Sequence, residues 1–75
     1  MKPSKKQENL ILMYDRGFDV YVSNVTRQRL IDDLGVFGIE IPRYKDDTRF
    51  TKKVLSMLLM VMYICYKDLM DREVG

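Results

Sequence analysis

Phe18–Ser23 reads FDVYVS, and the reading of this stretch decides the fold. Phe18, Val20 and Val22 alternate with Asp19, Tyr21 and Ser23, and period two in β-branched and aromatic residues is the pattern of a half-buried strand. A lone strand is not stable in water. It must pair either with Phe37–Ile41, FGIEI, a shorter piece that carries a glycine, or with its own copy across a two-fold axis.

On the N-terminal side, Met1–Asn9 is polar and carries Pro3, so the chain opens as a basic arm over residues 1–16. Ser4 followed three residues later by Gln7 is a capping-box pattern, and Gly17 is a natural stop, which together predict a helix from about residue 5 to 16. On the C-terminal side runs SNVTRQRLIDDLGVFG. Ser23 or Asn24 is the candidate N-cap, and Val25, Leu30, Ile31, Leu34 and Phe37 share one helical face, with Arg27, Gln28, Asp32 and Asp33 opposite. Gly35 and Gly38 end that helix, which is expected over 25–36. Residues 37–49 hold Pro42 and a charged cluster without helical period and read as a loop. Thr48 or Thr51 then caps a last helix, expected over 50–71.

Within it, Val54–Tyr66 reads VLSMLLMVMYICY, in which Ser56 alone is not apolar. A helix without a polar face must be covered on every side. A membrane span needs about 20 apolar residues, and Lys52, Lys53, Lys67 and Asp68 fence the run well short of that. A chain of 75 residues cannot surround such a helix alone. It would bury only about 60% of the surface its unfolded form exposes. The expectation is therefore a core helix shared between subunits, in a homodimer or a higher assembly.

Hydrophobic residues at 47% and charged residues at 32% mark a globular chain and not a disordered one. The single cysteine, Cys65, lies inside the apolar run, so a disulfide scaffold is excluded and a cytoplasmic setting is expected. Histidine is absent, which removes the commonest general base and metal ligand. The basic start lacks an apolar segment close behind it and a small-residue cleavage site, so a secretory signal is not expected. Adjacent carboxylates at Asp32–Asp33 and Asp46–Asp47 point in different directions if helical, and the glycines are too scattered for a phosphate loop. The chain is thus expected to be no enzyme, with no cofactor, no metal, no membrane and no small-molecule substrate.

Net charge is only +2, yet its distribution is uneven. Lys2, Lys5, Lys6 and Arg16 gather near the start, and Arg43, Lys45, Arg49, Lys52 and Lys53 gather ahead of the apolar helix. Dimerisation would double both patches, an arrangement that suits a polyanion. Lys52 and Lys53 also oppose the dipole of the helix they begin; a bound phosphate would explain them, and the nearby carboxylates of Asp46 and Asp47 are the structural alternative.

The order strand, helix, loop, long apolar helix resembles the ribbon-helix-helix DNA-binding family of Arc-type repressors. VYVSNVTRQRLIDDLGVFG is similar to the family's strand-to-first-helix tract, through Val22, Ser23, Thr26, Leu30 and Leu34. FTKKVLSMLL resembles the start of its second helix, through Thr51, Val54, Leu55, Leu58 and Leu59. The resemblance covers about residues 17–66 and implies a mainly α homodimer with an intersubunit two-stranded ribbon, extended here by the N-terminal helix or arm. It implies a dimer core of Phe18, Val20, Val22, Leu30, Leu34, Val54, Leu55, Leu58, Leu59, Val61 and Met62. The ribbon would enter the major groove and read bases through Asp19, Tyr21 and Ser23. Arg16, Arg43, Lys45, Arg49, Thr51, Lys52 and Lys53 would hold phosphates, those in the first turn of the second helix aided by its free N–H groups. Two features depart from the family, namely the acidic Asp19 on a reading face and the long loop over 37–49.

These features together predict a small dimeric transcriptional regulator, a repressor from a mobile element, whose partners are duplex DNA and a second copy of itself. Two other readings compete. The segment Leu34, Gly38, Ile39, Pro42, Arg43, Phe50, Thr51 and Val54 is similar to one that links two helices in the C-terminal domain of large serine recombinases, which would make the chain a helix-turn-helix DNA binder. A small interaction protein that inhibits a host enzyme without touching DNA also fits, through the adaptable side chains of Met57, Met60 and Met62.

Overall fold

Ser4 begins the first helix as the sequence predicts. Its hydroxyl accepts from the Gln7 amide at 3.2 Å while the Gln7 side chain accepts from the Ser4 amide at 2.9 Å, closing the capping box. The computed structural model describes residues 2–42 and 49–74. Four helices run through them in the order α1 (Lys5–Asp15), α2 (Phe18–Asn24), α3 (Arg27–Val36) and α4 (Lys52–Val74).

No strand occurs among the described residues, which overturns the ribbon-helix-helix expectation. Phe18–Ser23 is helical because the same letters carry a second period. Phe18, Tyr21, Val22 and Val25 stand at i, i+3, i+4 and i+7, one helical face. All four pack on the core, while Val20, which a strand would have pointed inward, is 68% exposed. The Ser23 hydroxyl and Asn24 amide donate to carbonyls four residues back, at 2.8 Å each, which is helical geometry. Gly17 makes the joint between α1 and α2, with φ at 153° where other residues are strained.

α3 starts two residues later than the expected 25–36, capped by Thr26 and not by Ser23 or Asn24; the Thr26 hydroxyl accepts from the Arg29 amide at 3.1 Å. It ends in a Schellman motif. Gly38, at φ 86°, donates to Gly35, and Ile39 donates to Leu34 at 3.0 Å. α4 opens with Thr51, whose hydroxyl accepts from the Val54 amide at 3.3 Å. Its bounds, Lys52–Val74, shift the expected 50–71 by two or three residues at each end.

α4 is the spine, and α1 and α3 pack along one side of it. Leu55 and Leu59 are fully buried there with Ile11, Leu30 and Leu34, and Tyr14, Ile31 and Phe37 complete the centre. Rings tie the layers together. Tyr14 lies 5.4 Å edge-on to Phe18 and 5.5 Å from Tyr63, Phe18 stacks on Tyr63, and Phe37 meets Tyr66 at 4.9 Å. The principal-axis extents are 45 × 24 × 16 Å. Val54, Met57, Val61 and Ile64 stay exposed on α4, which therefore keeps one side bare.

Candidate functional site

The bare side of α4 is the candidate site. Val54, Met57, Val61 and Ile64 are 36%, 61%, 52% and 58% exposed, and they follow one another at intervals of three, four and three residues. That spacing keeps them on a single stripe. Beside it, Met57, Met60 and Val61 of α4 meet Phe18 and Val22 of α2 in a groove of about 430 Å³, with Lys53, Ser56 and Asp19 at its rim. The stripe arises because a run that is apolar except at Ser56 forms a helix that its own chain covers on one side only. Leu55 and Leu59 face inward; Met57 and Val61, each two residues further on, face out.

The sequence predicts this helix to be covered all round, and within one chain it is not. Of the expected dimer-core residues, Phe18, Leu30, Leu34, Leu55 and Leu59 are buried in the monomer, and Val22, Leu58 and Met62 are half-buried against it. Val20, Val54 and Val61 are exposed. The core residues thus divide into a monomer core and a solvent-facing remainder.

The residues expected to read bases do not line up as a ribbon. Asp19 and Ser23 lie exposed on α2, and Tyr21 turns inward to donate its hydroxyl to Asp33. The expected phosphate contacts among the described residues fall in two places, Arg16 just after α1 and Arg49, Thr51, Lys52 and Lys53 around the start of α4. Arg16 is exposed at the end of α1, and Arg49 lies over the Phe50 ring, 5.8 Å from its centroid. The Lys52 ammonium donates to the Ser23 carbonyl at 3.3 Å. This places Lys52 at the negative end of α2, which accounts for one of the two cations that oppose the α4 dipole. Lys53 is exposed beside the groove. Arg43 and Lys45, with Thr48 as an alternative cap, lie outside the described residues.

Two polar clusters went unseen in the sequence. Asp33, expected on the wet face of α3, is 3% exposed. It accepts from the Tyr14 hydroxyl at 3.0 Å, from Tyr21, and from Arg29 Nε at 3.1 Å. Burial, reinforced by the negative Asp33, pushes the Tyr14 hydroxyl far above its ordinary range. Burial and the hydrogen bond to Asp33 push Tyr21 up to about 12. Neither phenol is poised to ionise near neutrality, so the cluster serves as a polar clamp among α1, α2 and α3. Its one signal in the sequence is spacing, because Asp33 falls three residues after Leu30 and four before Phe37, on the same face.

The second cluster joins α1 to α4. Asp15 accepts from Tyr63 and from the Lys67 ammonium at 2.6 Å. Lys67 first and Tyr63 second hold the Asp15 carboxyl below the usual carboxylate range, and Asp15 raises both partners in return. It is exposed and built like a strut. Cys65, inside the run expected to be covered on every side, is exposed on α4.

No helix among the described residues is long and apolar enough to cross a membrane. Comparison with protein families, with curated proteins and with solved structures finds no match for this chain.

Proposed function

We propose that this chain is a non-catalytic protein-interaction module whose binding surface is the outer stripe of α4 with the groove beside α2. The observation that carries the reading is the exposure of Val54, Met57, Val61 and Ile64 on one line of a helix whose other side buries Leu55 and Leu59 completely. Contiguous exposed apolar surface is costly in water and marks contact sites. The groove's walls are mostly apolar, with polar groups only at the rim, a lining that suits side chains of another protein better than a polar small molecule. Methionines at positions 57, 60 and 62 adapt to the shape of what they meet. A cytoplasmic setting belongs to the same proposal.

Hydroxyl-radical footprinting tests it. As concentration rises from about 1 µM to about 1 mM, a window that captures affinities of roughly −8 to −4 kcal/mol, oxidation at Met57 and Ile64 should fall while that at Leu12, exposed on α1, stays level. Unchanged oxidation of Met57 in every mixture tried, including one with the module's captured partner, would remove the reading.

Duplex DNA binding is the second reading, and it is favoured by the exposed Lys5 and Lys6 on α1 and Lys53 on α4. Its test is salt. Binding through phosphates loses about a thousandfold or more in affinity between roughly 50 and 200 mM salt when six or more phosphates are contacted. Tight, steeply salt-dependent binding to random duplex, insensitive to Val61→Asp, would put this reading first.

A further inference from the structure

We infer that the occupant of this face is a second copy of the chain, lying antiparallel along α4 so that Val54 and Met57 of one copy oppose Ile64 and Val61 of the other. The inference rests on the outer face of α4 being the binding surface and adds the partner and its direction. Intervals of three, four and three residues are the seam spacing of paired helices, in which each apolar side chain enters a gap on the facing helix. The simplest surface that matches such a seam is the same seam turned around.

Charge sets the direction. α4 begins with Lys52 and Lys53, has no acid in its first turn, and carries Asp68 and Asp71 beyond Ile64. Antiparallel pairing brings Asp68 to the second copy's Lys53 and to the positive end of its helix dipole. Parallel pairing would set Asp68 against Asp68 and Lys53 against Lys53. Arg72 also holds Asp68, at 3.1 Å, but the two side chains are 74% and 57% exposed, so the carboxylate remains accessible. Antiparallel pairing does bring Lys67 towards the second copy's Lys53. The Lys67 ammonium is already neutralised by Asp15 at 2.6 Å, which limits that repulsion.

The groove fits this arrangement. The two-fold axis passes between residues 57 and 61, so Met60 of each copy falls beside it, next to the space that Phe18 and Val22 border. From Val54 to Ile64 the stripe is about 15 Å long, nearly three helical turns. A contact that short makes a weak dimer, on the order of a hundred micromolar, because interfaces well below about 1,200 Å² are of the transient kind.

Dipolar electron resonance between nitroxide labels reads the direction. A label on Cys65, the chain's single cysteine, should sit about 20 Å from its mate in the antiparallel pair and about 10 Å in a parallel one. A label on Arg72→Cys in a Cys65→Ser background, outside the stripe, should give about 40 Å against about 10 Å. Lys53→Glu should weaken association about threefold, and Lys53→Glu with Asp68→Lys should restore it. Short distances from both labels overturn the antiparallel pairing. A monomer up to about 1 mM, near the weakest contact worth about −4 kcal/mol, overturns self-pairing altogether. In that case footprinting still decides whether the face binds another protein, so the two failures are told apart.

Discussion

Asp33→Ala is the sharpest test of how the helices are locked together. The substitution removes the acceptor shared by Tyr14, Tyr21 and Arg29. Tyr14 is 1% exposed, so its hydroxyl loses its partner without gaining water, a cost of about 1–3 kcal/mol. Tyr21 is half-buried and the Arg29 side chain is 52% exposed; both recover water, and the ion pair by itself is worth less than about 1 kcal/mol. The net loss should be about 1–4 kcal/mol, out of a total of about 4–11 for a chain of 75 residues. At about 4–8 °C per kcal/mol, the melting temperature should fall by about 4–30 °C. Tyr14→Phe, which leaves the carboxylate two donors, should cost about 1 kcal/mol, and Arg29→Ala less than that. Asp33→Ala combined with Tyr14→Phe should cost less than Asp33→Ala alone, because the second change removes the buried hydroxyl that the first leaves without a partner. Urea unfolding followed by circular dichroism measures all four. If Arg29→Ala proves as damaging as Asp33→Ala, or Asp33→Ala changes stability by under about 0.5 kcal/mol, the clamp does not hold the fold.

Three further outcomes are expected. The Asp15 carboxyl is held low by Lys67 and then Tyr63, so its contribution is complete above the unfolded value near pH 4 and is lost as pH falls through the lower folded value. An acid titration of Asp15→Asn should therefore lack that part of the low-pH loss while matching the parent protein's slope at neutral pH. Tyr21 is raised, so its contribution is complete below about pH 10 and is lost as pH climbs from there through about 12; a tyrosinate absorbance titration should show a late-ionising fraction that Asp33→Ala brings forward. Leu59→Ala, at a fully buried position, should cost about 2–5 kcal/mol in chemical unfolding, whereas Val61→Ala, two residues on but facing out, should cost under about 0.5 kcal/mol under conditions where the protein is monomeric.

Much of the helical order can be read directly from the residues. Ser4 and Gln7 announce the start of α1, Leu30 and Leu34 mark the buried side of α3, Gly38 marks its end, and Thr51 begins α4. The failure at Phe18–Ser23 is one of degeneracy. Phe18 and Val22 satisfy both a two-residue and a helical period, and only the choice between Val20 and Tyr21 separates them. That choice is made by Asp33, which is distant in sequence and bonds the Tyr21 hydroxyl. Once a partner lies that far along the chain, local pattern cannot weigh it. α4 poses the opposite difficulty. Nearly every position from Val54 to Tyr66 is apolar, so periodicity cannot divide the inner Leu55 and Leu59 from the outer Met57 and Val61. The packing of α1 and α3 makes the division. Lys52 shows the same limit, since its carbonyl partner at Ser23 exists only when α2 is a helix.

Sedimentation equilibrium of the parent chain beside Val61→Asp bears most directly on the outer face of α4. Val61 is 52% exposed, so a carboxylate there stays wet in the monomer and the helical fold should survive, as circular dichroism would register. The parent chain should associate reversibly over about 10 µM to 1 mM, spanning roughly −7 to −4 kcal/mol, and the variant should remain a folded monomer throughout. Equal association of the two proteins, or unfolding of the variant at low concentration, would contradict the assignment of that face as a binding surface separate from the core.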